Sequence, residues 1–116
     1  MNAYESGAQK VIPAVLLYAF FQGKVLMIHR NQKKEDFHAE KWNGLGGKLE
    51  RDETFLDCAV REFHEEADCL TSPEQWRWLG QLAFPHFKPK KNEDWLVNVF
   101  SAELTLDQFQ KISESP

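Results

Sequence analysis

Apolar residues along the chain form four runs with the length of strands and one stripe with the spacing of a helix. The runs Val11–Phe21 and Lys24–His29 flank a Gln-Gly pair, which predicts a β-hairpin. The later runs Trp76–Phe84 and Trp95–Leu104 predict two further strands, and Leu106–Ile112 predicts a short helix. Strands and helices in this order predict an α+β or a layered α/β/α domain.

The segment between these strands predicts one longer helix with two different faces. Asp52 is the predicted N-cap. Glu62, Glu65 and Glu66 lie three and four positions apart and therefore share one face. Apolar residues recur at helical spacing on much of the opposite side, at Leu56, Ala59, Val60, Phe63 and Ala67. One face can then pack on the sheet while the other presents carboxylates.

The crowding of three carboxylates on one helix face is unfavourable without a cation. Like charges repel each other, and the helix dipole disfavours negative charge near the C-terminus. Divalent ions such as Mg²⁺ prefer oxygen ligands and keep open positions for substrate phosphates. The cluster therefore indicates a site of metal-assisted phosphate chemistry. The alternative is a solvated charged face, in which Arg61 pairs with Glu65 one turn later.

The spacing around this helix follows the pattern G-x5-E-x7-R-E-U-x-E-E, where U is a bulky apolar residue. It begins at Gly47, continues with Glu53 and ends in the run Arg61–Glu66. With this pattern the chain resembles the MutT/Nudix hydrolases, which cut a diphosphate linkage attached to another moiety, usually a nucleoside. The chain departs from the family at Asp68, where the pattern has glycine. Because Asp tolerates left-handed backbone, Asp68 is expected to close the helix.

The resemblance implies a Nudix-type α/β/α sandwich with a mixed sheet, and it implies roles for the motif residues. Mg²⁺, or alternatively Mn²⁺, would be bound by three carboxylates and a backbone carbonyl, with a fourth carboxylate and an arginine in support. The implied metal ligands are Gly46, Glu62, Glu65 and Glu66, and the implied supporting residues are Glu53 and Arg61. The implied general base is Glu62.

The segment that precedes the helix carries a narrower resemblance. Residues 42–48 read W-N-G-L-G-G-K, which is similar to the MutT-homologue branch that hydrolyses oxidised purine nucleotides such as 8-oxo-dGTP. The resemblance implies a base pocket of one amide and several aromatic residues, with lysines as candidate phosphate contacts. The implied substrate-binding residues are Phe37, Asn43, Lys33, Lys48, Phe84 and Trp95. Each also has a purely structural interpretation, as a loop anchor, turn former, core residue or solvated lysine.

The C-terminus is short for the family, whose fold normally adds a second long helix over the sheet. The helix is expected to be missing or shortened here, because the chain stops at Pro116. Three explanations remain open: a compact member, a truncated chain, or a chain completed by a partner. Open apolar strand faces favour association, so we expect a homodimer.

The bulk properties exclude several classes of protein. The 116 residues, 42% of them hydrophobic, predict a single globular domain over residues 1–116. The net charge of −4 argues against binding to duplex nucleic acid. The run Val11–Phe21 contains Pro13, is too short to span a bilayer and lacks a cleavage site, so no membrane association is expected. Two cysteines without a CxxC pair indicate reduced thiols in the cytoplasm.

Taken with the resemblance, these properties predict a hydrolase that converts a nucleoside triphosphate to the monophosphate and pyrophosphate. The resemblance implies that water attacks a phosphorus with metal assistance. Two alternatives remain. One is a Nudix hydrolase of a nucleoside diphosphate sugar or a dinucleoside polyphosphate. The other is a Nudix-like binding module without catalysis.

Overall fold

The computed structural model describes residues 10–26, 28–29, 42–43, 45–88 and 92–113 of the chain. Its elements alternate between strands and helices. The strands are β1 (Lys10–Phe21), β2 (Lys24–Val25), β3 (Ile28–His29), β4 (Trp42–Asn43), β5 (Leu45–Lys48), β6 (Trp76–Lys88) and β7 (Glu93–Glu103). The helices are α1 (Phe55–Ala67) and α2 (Leu106–Ser113), and a 3-10 turn (Pro73–Gln75) precedes β6.

The main sheet is mixed and is built around β1. Strand β1 pairs in parallel with β7, which in turn pairs antiparallel with β6. The other edge of β1 pairs antiparallel with both β2 and β5. Five strands are joined in this way, and the path through four of them runs β2-β1-β7-β6. The predicted α/β fold with a mixed sheet is confirmed.

The predicted hairpin forms, but its second strand is shorter than expected. Gln22 and Gly23 have φ values of 50° and 80°, and two consecutive positive φ values suit the tight turns of two-residue hairpins. After the turn, β2 covers only two residues. The following strand β3 pairs with β4 in a separate two-stranded sheet. The prediction of one continuous strand over Lys24–His29 is therefore wrong, because its halves belong to different sheets.

The buried core lies on one face of the main sheet, under α1. Alternate residues of β1 (Val15, Leu17 and Ala19) point to this side, which we call the α1 face. Helix α1 contributes Phe63, which is fully buried and meets the Trp76 ring edge-on at 5.2 Å between centroids. The other buried members of this cluster are Leu45, Cys58, Ala59, Cys69, Phe100, Ala102 and Leu104.

The apolar stripe of α1 differs at two positions from the predicted one. Leu56 remains 38% exposed, whereas Cys58, which the spacing argument left out, is fully buried. Ala59 and Phe63 are buried as predicted, and Val60 and Ala67 pack at the edge of the core. The stripe is therefore rotated by a fraction of a turn relative to the prediction.

The short C-terminal helix predicted over Leu106–Ile112 is present as α2, eight residues long. Phe109 stacks on Phe21 with 4.3 Å between ring centroids, and Ile112 packs against the same core as α1. Gln108 and Gln75 exchange side-chain hydrogen bonds of 2.8 and 2.9 Å. These contacts fix α2 to the end of the sheet where β6 begins. Among the described residues, no helix is both long enough and apolar enough to cross a membrane.

Candidate functional site

The site begins at two glycines of β5 that bring backbone close to other groups. A Cβ added at Gly46 would collide with the carbonyl oxygen of Val15 on the neighbouring strand. A Cβ added at Gly47 would collide with the carboxyl group of Glu62 on α1. Because glycine has no side chain, α1 can lie directly on β5 with its carboxylates at the strand.

Helix α1 is closed by specific caps at both ends. The side chain of Thr54 accepts from the Asp57 N–H at 3.0 Å, and Asp57 accepts from the Thr54 N–H at 3.2 Å. The predicted N-cap Asp52 is therefore wrong: it lies in the preceding turn with φ 65°. Asp68 adopts left-handed backbone (φ 53°, ψ 43°), and its N–H donates to the His64 carbonyl at 3.0 Å. The expectation that Asp68 closes the helix is confirmed.

Arg61 connects three of the predicted site carboxylates. Its Nε and Nη2 donate to the two oxygens of Glu53 at 2.6 and 2.9 Å, a bidentate fork. Its Nη1 donates to Glu62 at 2.9 Å and to Glu65 at 2.8 Å. Nη2 also donates to the Lys48 carbonyl at 3.1 Å. The guanidinium thus ties α1 to the end of β5.

The fourth carboxylate is held by the backbone instead. The N–H of Gly46 donates to Glu66 Oε1 at 3.0 Å. Glu53 also accepts from the Glu50 N–H at 2.9 Å, which fixes the turn before α1. The structure therefore brings all six predicted motif residues to the contact between β5 and α1, where Arg61 binds three carboxylates and the Gly46 N–H binds the fourth: Gly46, Glu53, Arg61, Glu62, Glu65 and Glu66.

Burial and hydrogen bonding shift the ionisation of this network in different directions. The hydrogen bonds from Arg61 lower the pKa of Glu53 and outweigh the effect of burial. Burial raises the pKa of Glu62, because its single hydrogen bond from Arg61 compensates less. The hydrogen bonds to Glu53 raise the pKa of Arg61 most, and those to Glu65 and Glu62 raise it further, so the guanidinium stays charged. Burial raises the pKa of the Cys58 thiol to about 12, which leaves it neutral.

Cys58 is a site residue that the sequence argument missed. Its Sγ lies 3.6 Å from the Lys48 carbonyl oxygen and 3.6 Å from Arg61 Nη2. A signal was present in the sequence, since Cys58 precedes Arg61 by three positions and such residues are neighbours on a helix.

The predicted substrate residues fall into two groups. Phe84 pairs directly with Trp95 across β6 and β7, and Lys48 Nζ lies 5.4 Å from the centre of the Trp95 ring. Lys48 pairs with Ala14, and Trp95 with Ile12, so all of them lie on the sheet face opposite α1. We call this side the opposite face.

The side chains of the other three predicted substrate residues are not described. Phe37 and Lys33 lie outside the described residues. Asn43 is described only as backbone, paired with Ile28 in the two-stranded sheet. Their predicted contacts with a base or with phosphates therefore stay predictions.

A model of the NUDIX domain matches residues 10–115. The chain belongs to the Nudix family. The resemblance seen in the sequence is thereby confirmed, and the motif of this Nudix chain coincides with the network around Arg61.

Two curated relatives are named oxidized purine nucleoside triphosphate hydrolase. The protein from Mus musculus is 37% identical over 71 residues, which are 61% of this chain and 43% of the relative. The protein from Danio rerio is 33% identical over 81 residues, which are 70% of this chain and 47% of the relative. The Nudix chain thus spans less than half the length of these relatives.

A solved structure supports the same fold. The MutT NUDIX hydrolase from Burkholderia pseudomallei has a TM-score of 0.64 at 22% identity. The match covers 82% of this chain and 68% of that protein. At this identity the likeness concerns the fold alone.

Nudix hydrolases generally use divalent metals, so the carboxylates can be tested for their fit to such an ion. The donors Glu62, Glu65 and Glu66 on α1 are hard oxygen ligands, the type that Mg²⁺ and Mn²⁺ prefer. Within the described part of the chain, no three acidic, histidine or cysteine side chains converge on one point. Their oxygens accept instead from Arg61 and from the Gly46 N–H. The donor set fits a divalent ion in its chemistry, and binding requires these hydrogen bonds to be exchanged.

Proposed function

We propose that the chain hydrolyses a nucleoside triphosphate to a nucleoside monophosphate and pyrophosphate, with a divalent metal. The observation that carries this proposal is the network on α1. Three carboxylates of the Nudix motif accept from Arg61, and a fourth accepts from the backbone of Gly46, beside the close-packed Gly47. A charge cluster of this composition suits a substrate that is itself a polyanion only when a cation binds with it.

We assign the metal to the three carboxylates of α1 and to one carbonyl. Glu62, Glu65 and Glu66 would hold Mg²⁺ or Mn²⁺ together with the backbone carbonyl of Gly46. The ion would supply charge neutralisation for the phosphates and activation of water. Arg61 and Glu53 are positioning residues in this proposal, because their fork fixes the helix relative to β5.

The reaction requires a base and an in-line displacement. We assign Glu62 as general base, since it is largely buried beside Gly47 and its carboxylate can accept the proton of water. The water oxygen forms a bond to a phosphorus of the substrate, while the bond between that phosphorus and the oxygen of the departing pyrophosphate breaks. The electron pair of the broken bond leaves with pyrophosphate.

We propose an oxidised purine nucleotide, such as 8-oxo-dGTP, as the substrate. The names of the two relatives support this choice. Phe84 and Trp95 also form an adjacent aromatic pair on the opposite face. Stacking on such rings contributes about 1–3 kcal/mol per base. Lys48 beside Trp95 places a positive charge next to this pair. Phe37, Asn43 and Lys33 complete the proposed pocket as sequence predictions.

The test is a panel of nucleotides with chromatographic identification of products. The panel contains normal and oxidised purine triphosphates, a nucleoside diphosphate sugar and a dinucleoside polyphosphate, each with and without Mg²⁺. Monophosphate and pyrophosphate from an oxidised purine triphosphate are expected, and the Glu62→Gln variant should turn over about 10²–10⁴-fold more slowly. Glu74→Gln, a change at an exposed glutamate away from the network, should match the wild type. Turnover of the sugar or dinucleotide alone would replace the substrate assignment, and no turnover of any compound would favour a binding module.

Three further sequence predictions accompany this function. A cytoplasmic location is supported by Cys58 and Cys69, which are both free and buried. The absence of duplex nucleic-acid binding is supported by the net charge of −4. A homodimer is supported by the exposed Trp78 and Leu79 on β6, and sedimentation at micromolar concentration would refute it by showing the mass of one chain.

A further inference from the structure

The guanidinium of Arg61 has two sides with different partners. On one side, Nε and Nη2 form the fork to Glu53, and Nη2 also reaches the Lys48 carbonyl. Glu53 has only 11% of its side chain exposed, so the fork itself is shielded from water, although the exposed carboxylate of Glu50 lies 3.6 Å from Nε on the same side. We call it the anchoring side.

On the other side, Nη1 alone bridges two carboxylates. It donates to Glu62 at 2.9 Å and to Glu65 at 2.8 Å. Glu65 has 53% of its side chain exposed, against 15% for Glu62, so solvent weakens the Glu65 contact more than those of the fork. We call this the bridging side.

We infer that Nη1 of Arg61 is a built-in counter-ion that competes with the divalent cation for Glu62 and Glu65. This inference rests on the proposed metal-dependent function. The N–H groups of Nη1 use carboxylate lone pairs that a metal would need. The fixed positive charge also opposes the approach of a second cation, because like charges repel. The anchoring side keeps the guanidinium in place while the bridging side gives up its two contacts. Arg61 thereby lowers the affinity of the site for metal while it holds the metal-free carboxylates together.

Substitutions of Arg61 and of Glu53 should change the affinity for the metal in opposite directions. Arg61→Gln removes the competing charge, so the dissociation constant for Mn²⁺ should fall by about threefold to tenfold. Glu53→Gln weakens the anchoring side, so the guanidinium should pair more strongly with Glu62 and Glu65. The affinity for the metal should then fall. If Arg61 and Glu53 served only to keep the site in shape, both changes would weaken metal binding.

The experiment is a titration with Mn²⁺, in which electron paramagnetic resonance counts the free ion, repeated with Mg²⁺ by calorimetry. Arg61→Lys keeps a positive charge and should bind no more tightly than the wild type. Arg77→Gln, at an exposed arginine on β6, is the matched control and should leave affinity unchanged. Weaker or unchanged binding by a folded Arg61→Gln overturns the inference, as does equal tightening by Arg61→Lys.

A second measurement needs no variant that could fail to fold. In nitrogen-15 spectra of the wild type, Mg²⁺ should shift the Nη1 signals of Arg61 and leave its Nε–H signal in place. Loss of both signals, or a change in neither, contradicts the inference. Absence of any bound metal in the wild type overturns the metal-dependent function itself. Metal binding without tightening in Arg61→Gln overturns the counter-ion role alone.

Discussion

The two faces of the main sheet differ in how their residues reach one another. On the α1 face, the network from Gly46 to Glu66 lies within one strand, one turn and one helix. On the opposite face, Lys48 of β5 meets Trp95 of β7, which is far away in sequence, and Phe84 joins them through the pairing of β6 with β7. The α1 face is therefore specified locally, by caps, glycines and helical spacing. The opposite face depends on strand register, which only the folded sheet supplies.

This difference also divides the proposed function. The α1 face carries charged groups that are tied by hydrogen bonds to fixed partners, as hydrolysis requires. The opposite face carries partly exposed aromatic rings, which suit a base that varies between substrates. Changes on the α1 face should then affect the rate of hydrolysis, whereas changes on the opposite face should affect the recognition of the nucleotide.

The largest effect is expected from Glu62→Gln on the α1 face. Loss of the proposed base should lower kcat by about 10²–10⁴-fold. The folded protein should be as stable as the wild type or slightly more stable in metal-free buffer, because burial disfavours the charged form of Glu62. Steady-state kinetics and thermal unfolding check the two statements. Near-normal metal-dependent turnover by this variant would rule out the assignment of Glu62.

The second largest loss of kcat is expected from Gly47→Ala. The added methyl group collides with the Glu62 carboxyl, so the helix or the carboxylate must shift. A displacement of about 1 Å in such a site can lower kcat about a hundredfold. Gly80→Ala is the control: its methyl group meets no neighbour, and although the positive φ of 159° strains the alanine, the folded variant should keep its rate because Gly80 lies away from the site. Equal kinetics for the two variants would show that the contact between β5 and α1 does not position the site.

A smaller and different effect is expected from Trp95→Ala on the opposite face. Loss of a stacking ring should raise KM for the purine nucleotide by about tenfold, with little change in kcat. Trp78→Ala is the matched control. Trp78 is also a tryptophan, but it pairs with Phe100 and therefore lies on the α1 face. Its KM should remain near that of the wild type. A loss of kcat in Trp95→Ala without a change in KM would remove the division between the two faces.

The smallest effect is expected at the start of α1 and concerns stability. Thr54→Ala removes the capping box and should lower the free energy of unfolding by about 1 kcal/mol. Thr54→Ser keeps the hydroxyl and should retain most of this stability. Asp52→Gly should cost little, since glycine accepts the positive φ of that turn. Denaturant unfolding measures these changes. A larger loss of unfolding free energy in Asp52→Gly than in Thr54→Ala would show that Asp52 is the N-cap.

The same contrast explains what the sequence could predict. Helical spacing placed Glu62, Glu65 and Glu66 on one face of α1, and the hydrophobic runs located the long strands. The left-handed conformation at Asp68 also followed from the residue type. Each of these properties is set by neighbours a few positions away.

Other features depend on interactions that no local pattern contains. The division of the second hairpin strand between two sheets depends on the pairing of Ile28 with Asn43. The burial of Cys58 depends on how α1 is rotated against β5. The pairing of Nη1 of Arg61 with two carboxylates depends on side-chain directions in the folded site. Spacing indicated which residues meet, but it did not indicate which oxygen accepts from which nitrogen.

The most direct test of the central claim is a phosphorus-31 spectrum recorded during turnover. The wild-type chain is incubated with 8-oxo-dGTP and Mg²⁺, and the signals of the triphosphate are followed with time. The proposed function predicts that they are replaced by one monophosphate signal and one pyrophosphate signal, and only when metal is present. Release of orthophosphate with a diphosphate, or an unchanged triphosphate with folded protein and metal, would contradict it.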